Sequence, residues 1–291
     1  MPNYKTHSIH SDMTMPYIDK RISIDKEKLK LFSFGPDPLV FSDVKTFNNQ
    51  HNRNTKAFFK YLIKTIKLHK YTDNEDIMAF LYGQLEHFIL DTTFHPYVSY
   101  VTSGLKRDYL LDQHVTFELW LDDYFMNKYN IHDKKYYSNF ALSDELKSLI
   151  DHIYKKVYKC SNASNKFDFG TKLLLMLENT RSNDKVIPNI SKTLGISDIS
   201  YDEINRIIPY VNNDRDIWYN PYTLDSHHES INELWNNSVS LFLEVVDDTN
   251  KYLYDDKPFK NITIDSNLSY DTGIPSSKGK QLLLSKINKE V

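Results

Sequence analysis

Cysteine is almost missing from this chain, since Cys160 is the only one among 291 residues. A single cysteine excludes an intramolecular disulfide and a metal site built from several thiolates. The sequence also has no run of about 18 apolar residues, so it predicts no membrane-spanning helix. Residues Met1–Lys20 are polar and show no secretory leader, and the expected location is therefore the cytoplasm.

The chain also has no large excess of positive or negative charge. The chain has 36 Lys and Arg against 39 Asp and Glu, which gives a net charge of −3. This balance provides no strong attraction to a polyanion, so nucleic acid is not expected as a partner. With 40% hydrophobic residues, the composition fits a globular protein that can bury a sizeable core.

Apolar residues recur at three- and four-residue spacing along most of the chain, which predicts helices. The predicted helical stretches are Asn54–Leu68, Asp76–Phe94, Gln113–Lys128, Ser143–Tyr158, Phe167–Leu177, Tyr201–Val211 and Ser226–Tyr254. Alternation typical of a strand is weak and occurs near Lys260–Ile264, and the polar stretch Ser161–Lys166 is expected to be a loop. We therefore predict an all-α fold in which residues 1–291 form a single multi-helix domain.

The end of the chain has a different character. After Asp271 it becomes rich in glycine, proline and serine, and lysines then flank the apolar segment Leu282–Ile287. A basic amphipathic end can dock on anionic lipid, which would give peripheral membrane contact. A terminal helix packed on the domain, or a frayed end, is the alternative. The sequence predicts no particular oligomeric state.

Histidine is scarce, with 11 residues, yet His51, His87, His95 and His114 lie close together in sequence beside carboxylates. On a helix, His87 and Asp91 share a face, and His95 follows one turn further on. Asp91 would then lie at the middle of the stripe, where its two oxygens could bridge two cations. Imidazole and carboxylate together suit a borderline cation such as Zn²⁺.

The next predicted helix repeats this spacing with His114 and Glu118. A zinc ion bound by only two imidazoles and one carboxylate keeps one coordination position open, which is typical of catalytic sites. Pro96 disfavours helical geometry at His95, so the preceding helix is expected to end there.

A turn early in the chain adds a further candidate. Gly35 and the prolines on both sides of Asp37 stop a helix and present this carboxylate on a rigid loop, and His51 follows it. Glu86 precedes His87 directly and should point about 100° away on the helix.

Other histidines carry weaker signals. His132-Asp133 could belong to an HD-type phosphohydrolase, but no matching second histidine and distal aspartate stand out. His227 and His228 precede a predicted helix and fit a loop or a cap, whereas His10 fits an ordinary surface or core position.

Together these residues resemble the bacterial zinc-dependent phospholipase C family, whose fold is shared with fungal single-strand nucleases. The resemblance rests on Asp37 with His51, His87-x-x-x-Asp91, His95-Pro96, His114-x-x-x-Glu118 and Gly35-Pro36-Asp37. It is strongest over residues 4–125 and continues through Trp218–Pro221 and Ser230–Glu244. The metal site would then lie within residues 1–125, and residues 126–291 would add C-terminal helices.

The resemblance also implies how the ligands are shared among zinc ions. It assigns Asp37, His51, His87 and Asp91 to one ion, His95, His114 and Glu118 to a second, and His7 with Asp91 to a third. In secreted relatives the third site also uses the amine and carbonyl of a tryptophan exposed by processing. This sequence begins Met1-Pro2-Asn3, so two zinc ions are expected and a third is left open.

The function implied by the resemblance is zinc-dependent hydrolysis of phosphodiester bonds, with phospholipid head groups as the leading substrate. Asp37 would orient or deprotonate the attacking water, and Glu86 and Glu118 are the alternatives for proton transfer. Two alternatives stay open. One is a zinc nuclease or phosphatase on the same fold, and the other is a non-catalytic metal-binding or interaction protein.

Overall fold

The computed structural model describes residues 3–18, 21–104, 113–131, 140–181 and 207–279, together with residue 283. Within these ranges the chain forms α-helices joined by short turns. They are α1 (Tyr4–Thr14), α2 (Lys26–Phe32), α3 (Val44–Asn52), α4 (Thr55–His69), α5 (Glu75–Gly104), α6 (Gln113–Lys128), α7 (Asp144–Tyr158), α8 (Ala163–Arg181), α9 (Ile231–Tyr254) and α10 (Ile262–Asp265).

Strand structure in the described residues is confined to one short antiparallel pair. Strand β1 (Trp218–Tyr219) pairs with β2 (Ser226–His227), and Trp218 lies opposite His227. Short 3₁₀ turns occur at Met15–Tyr17, Asp37–Phe41, Tyr71–Asp73, Ile208–Tyr210 and Ser276–Lys278. The prediction of an all-α fold is confirmed, and the single domain over 1–291 stays a prediction.

Helix α5 lies at the centre of the packing. Every residue from 77 to 92 is buried, and α5 contacts α1, α2, α4, α6, α7 and α9. A helix buried on all sides in this way belongs to the core. One apolar cluster includes its residues from Ile77 to Ile89, and another includes those from Leu90 to Val101. The polar residues His87 and Asp91 therefore lie where the two apolar clusters meet.

The expected end of this helix at His95 is wrong, because α5 continues through Pro96 to Gly104. Proline removes the N–H that would normally bond to the carbonyl of Thr92. A distant loop packs against this point, since a Cβ on Gly273 would lie 2.4 Å from the Thr92 carbonyl oxygen and 3.0 Å from Pro96 Cγ. Tertiary packing at Pro96 thus outweighs the local preference of proline.

Three local predictions also need correction. The weak strand at Lys260–Ile264 is wrong, because α10 forms there and the side chain of Asn261 accepts a hydrogen bond from the Ile264 N–H. The helix predicted from Ser226 begins later, at Ile231, where Ser230 and Glu233 form a capping box. The loop expected at Ser161–Lys166 is shorter, since α8 begins at Ala163.

Some expectations concern residues that the structure does not describe. His132-Asp133, residues 201–206 of the stretch Tyr201–Val211, and the basic C-terminal segment apart from Leu283 lie outside the described residues. Among the helices that are described, none combines the length and the apolar character needed to cross a bilayer.

Helices α2 and α5 approach each other closely at Gly83, which yields a stability prediction. A Cβ there would lie 2.5 Å from the backbone carbon of Phe32 and 2.8 Å from the Ser33 nitrogen. Gly83→Ala should destabilise the fold by roughly 1–3 kcal/mol through overpacking, although alanine is the better helix former by about 1 kcal/mol. Thermal unfolding measures this. Asn237→Ala, on the exposed side of α9, should change stability by less than about 0.5 kcal/mol. A higher melting temperature for Gly83→Ala would contradict the close contact.

Candidate metal centre

The structure brings together all eight side chains predicted as metal ligands. They fall into three groups, and within each group the candidate ligand atoms lie within 4.8 Å of one another. The His7 group is His7, His87 and Asp91; the Asp37 group is Asp37, His51 and His87; the His95 group is His95, His114 and Glu118. His87 belongs to the first two groups and links them.

A tight turn positions Asp37. Gly35 has a φ of +56°, and a Cβ at this position would lie 2.3 Å from the His87 ring, so the backbone comes as close to the imidazole as glycine allows. Asp37 is 1% exposed. Its Oδ1 atom lies 3.2 Å from Nε2 of His51 and 3.7 Å from Nε2 of His87. The turn thus aims a buried carboxylate at two imidazoles.

Asp91 faces two histidines through its two oxygens. Its Oδ1 atom lies 3.3 Å from Nε2 of His7, and its Oδ2 atom lies 3.1 Å from Nε2 of His87. The two imidazole rings stack with their centroids 4.4 Å apart. A carboxylate placed in this way can bind one cation through each oxygen, as the sequence suggested for the middle of the stripe.

The His95 group is the part of the centre nearest to solvent. His114 is 29% exposed and its Nε2 atom lies 2.8 Å from Glu118 Oε1, whereas the other seven candidate ligands are buried. His95 stacks on His114 with a centroid distance of 5.3 Å, and its Nε2 atom lies 3.8 Å from Glu118 Oε1. Access from solvent to the centre is therefore on the side of His114.

Hydrogen bonds from outside the groups orient four of the histidine rings. Each ring uses Nδ1: His51 bonds to the Phe47 carbonyl (3.0 Å), His87 to the Ser33 carbonyl (3.0 Å), His95 to the Tyr270 carbonyl, and His7 to a Glu86 carboxylate oxygen (3.2 Å). A neutral ring that donates from Nδ1 has an unprotonated Nε2, which can bind a cation. The Nε2 atoms are the ones that face the carboxylates of the three groups.

Several buried polar atoms at the centre lack hydrogen-bond partners among the described residues, which indicates whether a metal would fit. Within the described part of the chain, no hydrogen-bond partner exists for Nε2 of His7, His51 and His87 or for either oxygen of Asp37 and Asp91. Each buried polar atom left unpaired costs about 1–3 kcal/mol. Cations would satisfy all of these atoms at once, and imidazole nitrogen with carboxylate oxygen is a donor set that suits zinc. The residues therefore fit zinc.

The pKa values of the histidines at the centre are shifted in two opposite directions. Burial lowers the pKa of His95 to about 3 and that of His114 to about 2, so both rings are neutral, the form that binds a metal. Burial also acts to lower the pKa of His7, but the carboxylates of Glu86 and Asp91 outweigh it and raise this pKa to about 10. A metal ion at His7 must therefore displace a proton.

Sequence reasoning missed the role of Glu86. As expected, its side chain points away from the stripe formed by His87, Asp91 and His95, and it faces α1. Its Oε2 atom lies 3.2 Å from Nδ1 of His7 and its Oε1 atom lies 3.0 Å from Nδ1 of His10. The other ring nitrogen of His10, Nε2, lies 3.1 Å from the hydroxyl of Ser238 on α9. The signal that could have found it is the three-residue spacing of His7 and His10, which places both on one helix face.

Polar contacts fix the helix that carries His7. The buried residues of α1 are mostly polar and include Thr6, Ser8, Ser11 and Thr14. At its first turn, the backbone N–H and the hydroxyl of Thr6 donate to Asp122 at 2.8 and 2.7 Å. Polar contacts from Asp122 and Glu86 therefore hold α1 on two neighbouring helices.

Comparison with known proteins adds one positive finding. The family model described as zinc-dependent phospholipase C matches residues 6–165, which is more than half of the chain and includes all eight candidate ligands. Neither the curated proteins nor the solved structures gave a match.

The contact between Glu86 and His7 leads to a prediction about metal affinity. Glu86→Leu should lower zinc affinity at the His7 group by about 10–100-fold, because the ring loses the acceptor that orients it. Glu86→Gln keeps an acceptor oxygen and should lose less. Zinc titration against a chelating dye measures both variants. The His95 group, which Glu86 does not contact among the described residues, should keep its affinity, and equal losses at all groups would contradict the assignment.

Proposed function

The chain belongs to the zinc-dependent phospholipase C family, and from this membership and the three ligand groups we propose that it is a zinc-dependent hydrolase of phosphodiester bonds. Phospholipid head groups are the leading substrate class. The observation that carries the proposal is the convergence of Nε2 atoms and carboxylate oxygens in one buried centre, with the ring orientations fixed from outside.

Zinc would be held at this centre by the converging Nε2 atoms and carboxylate oxygens of the three groups. In the proposal, Asp37, His51, His87 and Asp91 would hold one ion, and His95, His114 and Glu118 would hold a second on the solvent side. Asp91 would also serve a third position, at His7. When bound, the ions supply water activation at neutral pH and neutralise the charge of a phosphodiester. We propose two ions as the minimum, with a third at the His7 group.

Asp37 is the residue that we propose for orienting or deprotonating the attacking water. Its backbone is fixed, because its N–H donates to the Phe34 carbonyl at 3.1 Å and Pro38 follows it in the chain. Helix α8 supports the turn from behind, since a Cβ on Gly170 would lie 1.8 Å from the Pro38 carbonyl oxygen. A base held this firmly needs little reorganisation when it accepts a proton, which favours catalysis.

Geometry also supports one direction of substrate approach. His114 is the candidate ligand that solvent reaches, so a phosphodiester would enter on that side and meet the deeper Asp37 and Asp91 carboxylates last. The buried position of Asp37 limits access of bulk water to the proposed base. A large polyanion is disfavoured by the net charge of −3, which supports phospholipid over nucleic acid.

Substrate class can be tested with a panel of phosphate esters. Zinc-loaded protein should hydrolyse a choline phosphodiester or phosphatidylcholine vesicles, and a chelator should abolish the activity until zinc is restored. Preference for single-stranded DNA would instead identify a nuclease, and preference for a phosphomonoester would identify a phosphatase. A fully metallated protein that hydrolyses none of these would support the non-catalytic alternative.

The role of Asp37 has its own test. Asp37→Asn keeps the size of the side chain but removes the base, and turnover should fall by at least about 10²-fold. The matched control is Asp247→Asn, because Asp247 is an exposed acid on α9 paired with Lys251, and it should retain full activity. Zinc content must be measured alongside, so that loss of metal is separated from loss of the base. Undiminished turnover in a metallated Asp37→Asn variant would remove Asp37 from the mechanism.

A further inference from the structure

A loop near the end of the described chain packs directly on the metal centre. We call residues 268–275 the clamp. It is closed by its own hydrogen bonds: Leu268 and Pro275 form an antiparallel bridge, the Ser269 N–H donates to the Ile274 carbonyl at 2.9 Å, and the Gly273 N–H donates to the Ser269 carbonyl at 2.9 Å. The clamp lies outside residues 6–165, which the family model matches.

Tyr270 of the clamp contacts two of the ligand groups. Its backbone carbonyl accepts a hydrogen bond from Nδ1 of His95, and its backbone N–H donates to the carbonyl of His51 at 2.8 Å. Its ring is fully buried and packs against His51 and His87 with centroid distances of 5.3 and 5.8 Å. One residue therefore joins the Asp37 group to the His95 group.

We propose that the clamp is a working part of the metal centre, with Tyr270 as the positioning residue that aims Nε2 of His95 at its cation. The inference rests on the proposed zinc site and goes beyond it, because it assigns a role to a segment distant in sequence from every ligand. An acceptor at Nδ1 fixes the orientation of a metal-binding imidazole, and its loss weakens metal affinity.

The clamp should act mainly on one of the three groups. His51 has its Nδ1 acceptor, the Phe47 carbonyl, within its own helix α3, and His87 has the Ser33 carbonyl after α2. The acceptor of His95, in contrast, comes from the clamp. Displacing the clamp should therefore disturb the His95 group first and leave the other two groups largely intact.

Asp271 adds charge to the same place. It follows Tyr270 directly, and it lies close enough for its negative charge to act on His51, His95 and His114. These histidines belong to two different groups. The clamp thus adds a negative charge near both groups, which favours cation binding.

Gly273 allows the clamp to approach α5. Its φ is +65°, and a Cβ would lie 2.4 Å from the Thr92 carbonyl oxygen and 3.0 Å from Pro96 Cγ. Alanine at this position must push the clamp away from the helix that carries His95. Gly279 offers a matched control, since its φ is +73° but nothing lies within 4 Å of a Cβ there. Both substitutions place alanine at a positive φ, and only the one at Gly273 displaces the clamp.

The test compares zinc binding by the full-length wild type, Gly273→Ala and Gly279→Ala, using graded chelator competition and no substrate. Gly273→Ala should lower the affinity of one ion by about 10–100-fold and spare the others, while Gly279→Ala should match the wild type. If Gly273→Ala does not fold, Ile274→Ala replaces it, because it removes a buried anchor of the clamp without a clash and should give a smaller loss at the same ion.

A double variant identifies the ion concerned. His114→Ala removes a ligand of the His95 group, so Gly273→Ala added to it should cause no further loss of zinc. An additional loss in the double variant would overturn the proposal, as would wild-type zinc binding in both Gly273→Ala and Ile274→Ala. Because zinc is measured without substrate, these outcomes do not depend on whether phosphodiester hydrolysis is found. A wild type that takes up no zinc would instead overturn the metal centre itself, and the clamp with it.

Discussion

The buried carboxylate of Asp91, held between Nε2 of His7 and Nε2 of His87, is the constraint on which the rest of the structure depends. It lies on a helix buried on every side, where an unpaired charge is very costly. Imidazoles alone leave both of its oxygens without a hydrogen bond from any described residue. The surrounding helices therefore place histidines beside Asp91. The cluster of imidazole nitrogens and carboxylate oxygens that results suits cations.

Neighbouring backbone segments fix the orientation of the candidate ligands. Carbonyls of Ser33 and Phe47 orient His87 and His51, and the backbone at Gly35 packs directly against the His87 ring. Glu86 orients His7 and holds α1, a helix whose buried face is largely polar. The geometry of the candidate ligands is thus set by contacts behind them, and the same contacts would link metal binding to the stability of the fold.

The sequence identified the candidate ligands but not the residues that orient them. The pairs His87 with Asp91 and His114 with Glu118 follow helical spacing, which is a local property, and so the pattern could be found without coordinates. The continuation of α5 past Pro96 depends on packing by a distant loop, and no local signal predicts that. Glu86 and Tyr270 contact residues that are far from them in the chain. The spacing of His7 and His10 indicates a shared helix face, but only the assembled helices show which residues meet there.

Anomalous X-ray scattering at the zinc edge, from crystals of the full-length protein grown without chelator, tests the central claim most directly. The account predicts at least two zinc ions per chain, each within about 2.0–2.2 Å of histidine Nε2 atoms or carboxylate oxygens. Those ligands should come from the His7, Asp37 and His95 groups, with Asp91 contacting an ion. Zinc bound elsewhere, ligation of these histidines through Nδ1, or a zinc-saturated crystal with no anomalous peak at the centre would contradict it.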